Sequence, residues 1–224
     1  MALILHIDTA TEQASVSIAK DGILLHQRVN NRAIDHAAWI HTAIREMINS
    51  SDGLCQLKDM EAVAVVAGPG SYTGLRVGMA TAKGLCYALK IPLISLNTLK
   101  LMARAIKKEA IPSQLLCPML DARRQEVFTA LYNFDLEELV VPCAMILDNH
   151  SFSDWLSTNH IIFSGNGSHK WKLLTQHDNA IFSDVFYIAS DIAAMAAAAF
   201  NEQEFSDIAY TDPVYLKDFY SYHA

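Results

Sequence analysis

With 224 residues, 52% of them hydrophobic and only 18% charged, the chain has ample material for a core and is too apolar for a disordered polymer. Seventeen lysines and arginines against 24 acidic residues leave a formal charge of −7, a field that repels polyphosphate and argues against a self-sufficient nucleic-acid binder. The four cysteines, Cys55, Cys86, Cys117 and Cys143, form no C-x-x-C pair, which speaks against a zinc knuckle, a redox dithiol or a secreted disulfide framework and fits a reducing cytoplasm.

The opening run of residues 1–8 lacks a basic flank and is interrupted by His6 and Asp8, so no export signal is expected. Residues 2–8, 14–20 and 22–30 are β-prone, and Asp21-Gly22 between the last two signals a hairpin. A helix is predicted over 35–49, a buried strand over 61–67, a helix over 74–89, a short strand over 91–96 and a helix over 98–108. Past a boundary at 107–112, strands are predicted at 114–120, 126–134 and 139–147. A helix at 151–157, a strand at 160–163, a helix at 168–176 and a strand at 181–187 follow. The last element is an alanine-rich helix with Ser190 as its N-cap and Asp191 in the first turn. Its apolar stretch 192–200 is about half the roughly 20 residues a bilayer span needs and reads as a buried helix. Both halves therefore follow the order βββαβαβα, an α/β class with mixed sheets in two lobes, 1–108 and 109–224, duplicated in element order rather than in residues.

The densest motif runs from Ala67 to Gly78 and joins a strand to a helix, where backbone amides can cradle an anion. It lacks the Gly-Lys-Ser/Thr of a Walker loop, and its glycine spacing misses the dinucleotide fingerprint by one residue. It is not a nucleophile elbow either, because Pro69 and Thr73 stand where glycines would flank Ser71. Two readings stay open: Gly68, Gly70 and Ser71 form a phosphate cradle, or they make a tight turn with Ser71 or Thr73 capping the helix.

Gly74, Gly78 and Ala82 recur every four residues and form a helix face without bulk. Interior glycine costs a helix about 1 kcal/mol relative to alanine, so two on one stripe imply close packing, either within the chain or against another. The intermolecular reading pairs this stripe with the preceding amphipathic helix and its Ile34, Ala37, Ile44 and Ile48. On that helix His36 and His41 are five residues apart, which turns their directions roughly 140° from each other and excludes the i, i+4 zinc pair. Asp8, followed by Thr9, and Asp121, followed by Ala122 and Arg123, end the first strand of each half. They are either carboxylates facing a magnesium–phosphate group in a shared cleft or formers of Asx turns. Gly165-Asn166-Gly167 marks another strand-to-helix turn.

Taken together, Ile7-Asp8-Thr9-Ala10-Thr11 with the following Ala14-Ser15-Val16-Ser17, the loop Ala67-Gly68-Pro69-Gly70-Ser71-Tyr72-Thr73-Gly74-Leu75-Arg76-Val77-Gly78 and Asp121-Ala122-Arg123-Arg124-Gln125-Glu126-Val127-Phe128 resemble the TsaB (YeaZ) family, and the likeness extends to Pro213-Val214-Tyr215-Leu216. The resemblance implies a two-lobed actin-like (ASKHA, RNase H-like) fold. It also implies a cytoplasmic, non-catalytic platform role in forming N6-threonylcarbamoyladenosine at position 37 of tRNA. The implied partners are TsaD, the related transferase, and the ATPase TsaE. tRNA would be reached only through the complex, a homodimer is compatible, and no membrane is involved. No metal or cofactor is expected on the isolated chain, whereas ATP or ADP and magnesium belong to the complex. The histidine pair that holds metal in TsaD-like proteins does not occur here. The segment His36-Ala37-Ala38-Trp39-Ile40-His41-Thr42 departs from the usual pattern by placing a bulky Trp39 on the first interface helix. An autonomous actin-like ATPase using Asp8, Asp121 and the glycine loop is the alternative from another class, and a metal-dependent peptidase lacks its ligands.

Overall fold

The computed structural model describes residues 2–31, 36–49 and 55–217. In chain order the first elements are β1 (Leu3–Asp8), β2 (Ala14–Lys20), β3 (Ile23–Asn30), α1 (His36–Asn49), β4 (Ala62–Gly68), α2 (Tyr72–Leu89), β5 (Leu93–Asn97) and α3 (Thr98–Lys107). They are followed by β6 (Gln114–Asp121), β7 (Glu126–Tyr132), β8 (Glu138–Ile146), α4 (Ser153–Leu156), β9 (His160–Ser164), α5 (Ser168–Lys172), β10 (Ala180–Ser183) and α6 (Ala189–Asn201). No described helix is long and apolar enough to cross a membrane.

Two compact units emerge, one gathering the described residues of Met1–Thr98 and Ile188–Val214, the other those of Leu99–Tyr187 and Tyr215–Ala224. The division expected at residue 108 is therefore corrected. Helix α3 goes almost entirely with the second unit, and α6 with the first, where it packs on β1, β2, β3 and β5. Periodicity tells a helix which of its faces is apolar but not which sheet will cover that face.

In the first unit the sheet runs β3-β2-β1-β4-β5. The Asp21-Gly22 turn closes the β2–β3 hairpin, both residues having left-handed φ of 50° and 79°, as a two-residue turn with right-twisting strands demands. The run Ala62–Gly68 is buried throughout because β4 lies in the sheet interior between parallel neighbours. Leu5, Ile7, Val16 and Ile18 face α1 and α2 and pack with Ile40, Met47 and Met79. Across the sheet lies α6, whose small residues permit close approach: a Cβ added to Gly22 would stand 3.4 Å from that of Ala197. Ser190 does not cap α6, since the helix begins at Ala189 behind an Ile188 cap and the Asp191 carboxylate accepts the Ile188 amide at 3.0 Å.

The second sheet repeats the pattern as β10-β9-β6-β7-β8. Its core centres on Phe163, whose ring lies 5.3 Å from Phe152, 6.2 Å from Trp171 and 5.6 Å from Phe182. These rings bring α4 and α5 onto the sheet through aromatic edges and faces.

Candidate functional site

The glycine loop follows β4 and meets the chain just beyond β1. The Ser71 amide donates to the Ala10 carbonyl at 2.7 Å, and Ser71 Oγ accepts the Gly74 amide at 3.3 Å as the N-cap of α2. A Cβ on Gly70 would collide with the Ala10 carbonyl, and one on Gly74 with the Thr9 carbonyl. Gly68 has φ of +113°, and a Cβ there would stand 2.8 Å from the Val214 carbonyl. The Val214 amide in turn donates to Ala67 O at 2.8 Å. The Ser71 and Gly74 amides are thus spent on the chain itself, which supports the turn reading of Gly68, Gly70 and Ser71. The physical reason is close backbone approach, which only glycine tolerates.

Asp8 and Asp121 both resolve as Asx turns. Asp8 Oδ1 accepts the Ala10 amide at 3.0 Å, and Asp121 Oδ1 accepts the Arg123 amide at 2.6 Å. Asp8 is 6% exposed, and Thr9 behind it is fully buried. Asp121 also takes Lys170 Nζ at 2.7 Å, while its own amide donates to Asn166 Oδ1 at 2.8 Å. Desolvation works upward on this carboxyl, but the Lys170 hydrogen bond, the Arg123 amide and the charges of Lys170 and Arg123 hold it below the ordinary carboxylate value. A carboxylate already neutralised by a lysine is a poor magnesium ligand. No cluster of metal-ligating side chains occurs among the described residues.

The surface expected from Gly74, Gly78 and Ala82 is corrected. All three face inward: Gly74 and Gly78 lie against Thr9, and Ala82 is fully buried in the core of their own unit. Ile44 is buried too, Ile48 is packed against the same core, and Ala37 is exposed, while Ile34 lies outside the described residues. Trp39 leans on the core rather than standing clear of it.

The open face of α2 is the opposite one, missed from sequence. Thr73, Val77, Ala80, Gly84 and Tyr87 follow a 4-3-4-3 spacing, the seam of a helix that packs on other helices at a shallow angle. Four of the five are exposed and Val77 is half-buried; Tyr87 is 82% exposed, and nothing among the described residues lies within 4 Å of a Cβ built on Gly84. A groove of about 280 Å³ runs beside it, lined by His41, Ile44, Arg45 and Ile48 of α1 with Leu57 and Leu85. The signal was present as the heptad spacing of small residues.

Two mixed five-stranded sheets, each opened by a three-stranded antiparallel run and extended by parallel strands, define an α/β protein of the actin-like class. A family model described as "TsaD: tRNA N6-adenosine threonylcarbamoyltransferase" matches residues 24–219. The chain is 30% identical to the tRNA threonylcarbamoyladenosine biosynthesis protein TsaB of Bacillus subtilis across 68% of its own length, spanning 64% of that relative. It is 29% identical to TsaB of Escherichia coli, with 96% of this chain and 94% of the other covered. YeaZ from Pseudomonas aeruginosa superposes with a TM-score of 0.81 at 23% identity, over 96% of this chain and all of the other. The chain belongs to the TsaD family, in its TsaB (YeaZ) branch.

Proposed function

We propose that this chain is a non-catalytic subunit in the biosynthesis of tRNA threonylcarbamoyladenosine. In this reading it binds and activates a TsaD-type transferase, and a TsaE-type ATPase joins the pair. The names of its relatives support the pathway. The partner-binding role rests on one observation, the outward seam of Thr73, Val77, Ala80, Gly84 and Tyr87 on α2, where a glycine in mid-helix has none of the described residues against it.

A glycine that destabilises its helix without admitting an internal neighbour makes sense where an outside helix comes close. The same seam is self-complementary, so the isolated chain is expected to pair with itself when the partner is absent. The internal bonds of the Ser71 and Gly74 amides and the hold of Lys170 on Asp121 support a reading in which nucleotide and magnesium belong to the assembled complex rather than to this chain alone. In this reading the protein works in the cytoplasm.

The test is co-purification with the TsaD homologue of the same source. Gly84→Trp should keep the circular dichroism of the parent, melt no lower than it, and lose the partner, whereas Gly84→Ala stays folded and keeps the partner. Undiminished recovery of the partner by the tryptophan variant would remove this surface from the proposal.

A further inference from the structure

The β6–β7 turn, residues 121–126, is held from every side. Arg123 N bonds the Asp121 carboxylate, Glu126 N bonds Arg123 O at 3.1 Å, and Leu147 N bonds Gln125 O at 2.9 Å. Lys170 Nζ reaches both Asp121 Oδ1 and Glu126 O, at 2.7 and 3.0 Å. Lys217 Nζ holds Ala122 O at 3.0 Å and pairs with the Glu126 carboxylate, above the ring of Phe128.

Each carboxylate at the turn therefore has a lysine, and each lysine is used. What remains is Arg123 and Arg124, both exposed; among the described residues neither guanidinium has a hydrogen-bond or ion-pair partner, although the field of Arg123 reaches Asp121. Both have left-handed backbones, φ 68° and 50°, a conformation that favours glycine or asparagine and is unfavourable for arginine. A rigid turn carrying two unpaired guanidiniums at strained positions, in a chain of net charge −7, is a local reversal of the overall field.

We infer that the β6–β7 turn grips phosphate groups of an RNA backbone through Arg123 and Arg124, so that this chain contacts tRNA directly. The inference rests on the proposed role in tRNA modification. A guanidinium fork matches two phosphate oxygens, and consecutive forks on an open turn suit successive groups of an extended polyanion. A free phosphate ion would need donors enclosing it, and these two side chains stand in the open. Lys170 and Lys217 are positioning residues that keep the turn rigid and its carboxylates neutralised.

The test uses the full chain, a fluorescein-labelled anticodon stem–loop RNA and anisotropy across a low-salt series. The parent should bind with a salt dependence to which two phosphate contacts contribute a slope between about 1.4 and 1.8. Arg123→Asn with Arg124→Gly should weaken binding about tenfold, remove that part of the slope, and raise the melting temperature because the strained positions are relieved. Arg123→Glu with Arg124→Glu should abolish binding. No binding by the parent, or an unchanged affinity and slope in the Asn/Gly variant, would overturn the inference. Calorimetric binding of inorganic phosphate without any of the RNA would overturn it as well. Recovery of the TsaD homologue by the Asn/Gly variant should equal that of the parent, which separates this result from a failure of the partner-binding proposal.

Discussion

The Thr9 hydroxyl donates to the Gly74 carbonyl at 2.7 Å in the buried seam between β1 and α2. The two glycines of that seam meet different parts of Thr9: Gly74 faces its backbone carbonyl, Gly78 its hydroxyl. A carbonyl cannot move without the strand, but a side chain can be removed. Gly78→Ala is therefore expected to destabilise the fold by about 1–3 kcal/mol, and Gly74→Ala by more. Thr9→Ala should cost less in the Gly78→Ala background than in the parent, and it should give no such relief to Gly74→Ala. Urea unfolding of the double-mutant cycle reads this out. Equal coupling at both positions would mean that the seam does not have this geometry. Leucine at either site should prevent folding, so loss of a partner there would say nothing about an interface.

At Gly84 the expectation has the opposite sign. With open space around its Cβ position and an ordinary helical backbone, Gly84→Ala should stabilise the isolated chain by about 0.5–1 kcal/mol. Thermal or urea unfolding measures it, and a loss of stability would show that something of this chain already covers the site.

These two glycine environments mark how far the sequence could be read. The β-prone runs within residues 2–30, the Asp21-Gly22 turn and the continuous apolar run of β4 made the element order legible, because each is a local pattern with one structural solution. The stripe of Gly74, Gly78 and Ala82 was legible as close packing but not in direction. Its neighbours Leu75, Met79 and Cys86 lie on the same side of the helix and are buried, which is what an inward face carries. Asp8 and Asp121 sit at matching strand ends, as the sequence suggested. Their roles depended on which amide lies two residues on and where Lys170 falls, and the second of these is a tertiary fact.

The cysteines offer a check on the packing. Burial pushes the Cys117 thiol up to about 12, despite its hydrogen bond with Thr129, and the Cys86 thiol up to about 11. Cys55 is 4% exposed, and only Cys143, on β8, is reached by solvent. Under native conditions at mildly alkaline pH an aromatic disulfide reagent should modify Cys143 first, though slowly because partial burial raises its thiol too. The other three should react only at the rate of unfolding. Intact mass against time decides this, and a second adduct forming as fast as the first would contradict the packing around β6 or α2.

His6 sets the acid limit of the first unit. It is buried at 1% exposure on the sheet face opposite Leu5 and Ile7, with Nδ1 3.3 Å from Ser17 Oγ and no hydrogen-bond partner at Nε2. Desolvation lowers its pKa from 6.5 to about 4, the Ser17 contact opposing the shift only in part. Above 6.5 the ring is neutral in the folded and unfolded chain alike, and it contributes no pH dependence. As the pH falls below 6.5 the unfolded chain takes up a proton that the folded chain refuses, so stability declines until about pH 4, where the native ring protonates as well. The full loss across that window is about 3 kcal/mol. His6→Leu, which keeps an apolar side chain of similar bulk and removes the orphaned nitrogen, should flatten this limb of the stability profile and leave the chain more stable than the parent near its lower end. Urea midpoints measured for both chains through the window test it. If the two profiles run parallel, His6 is not the group that binds the proton.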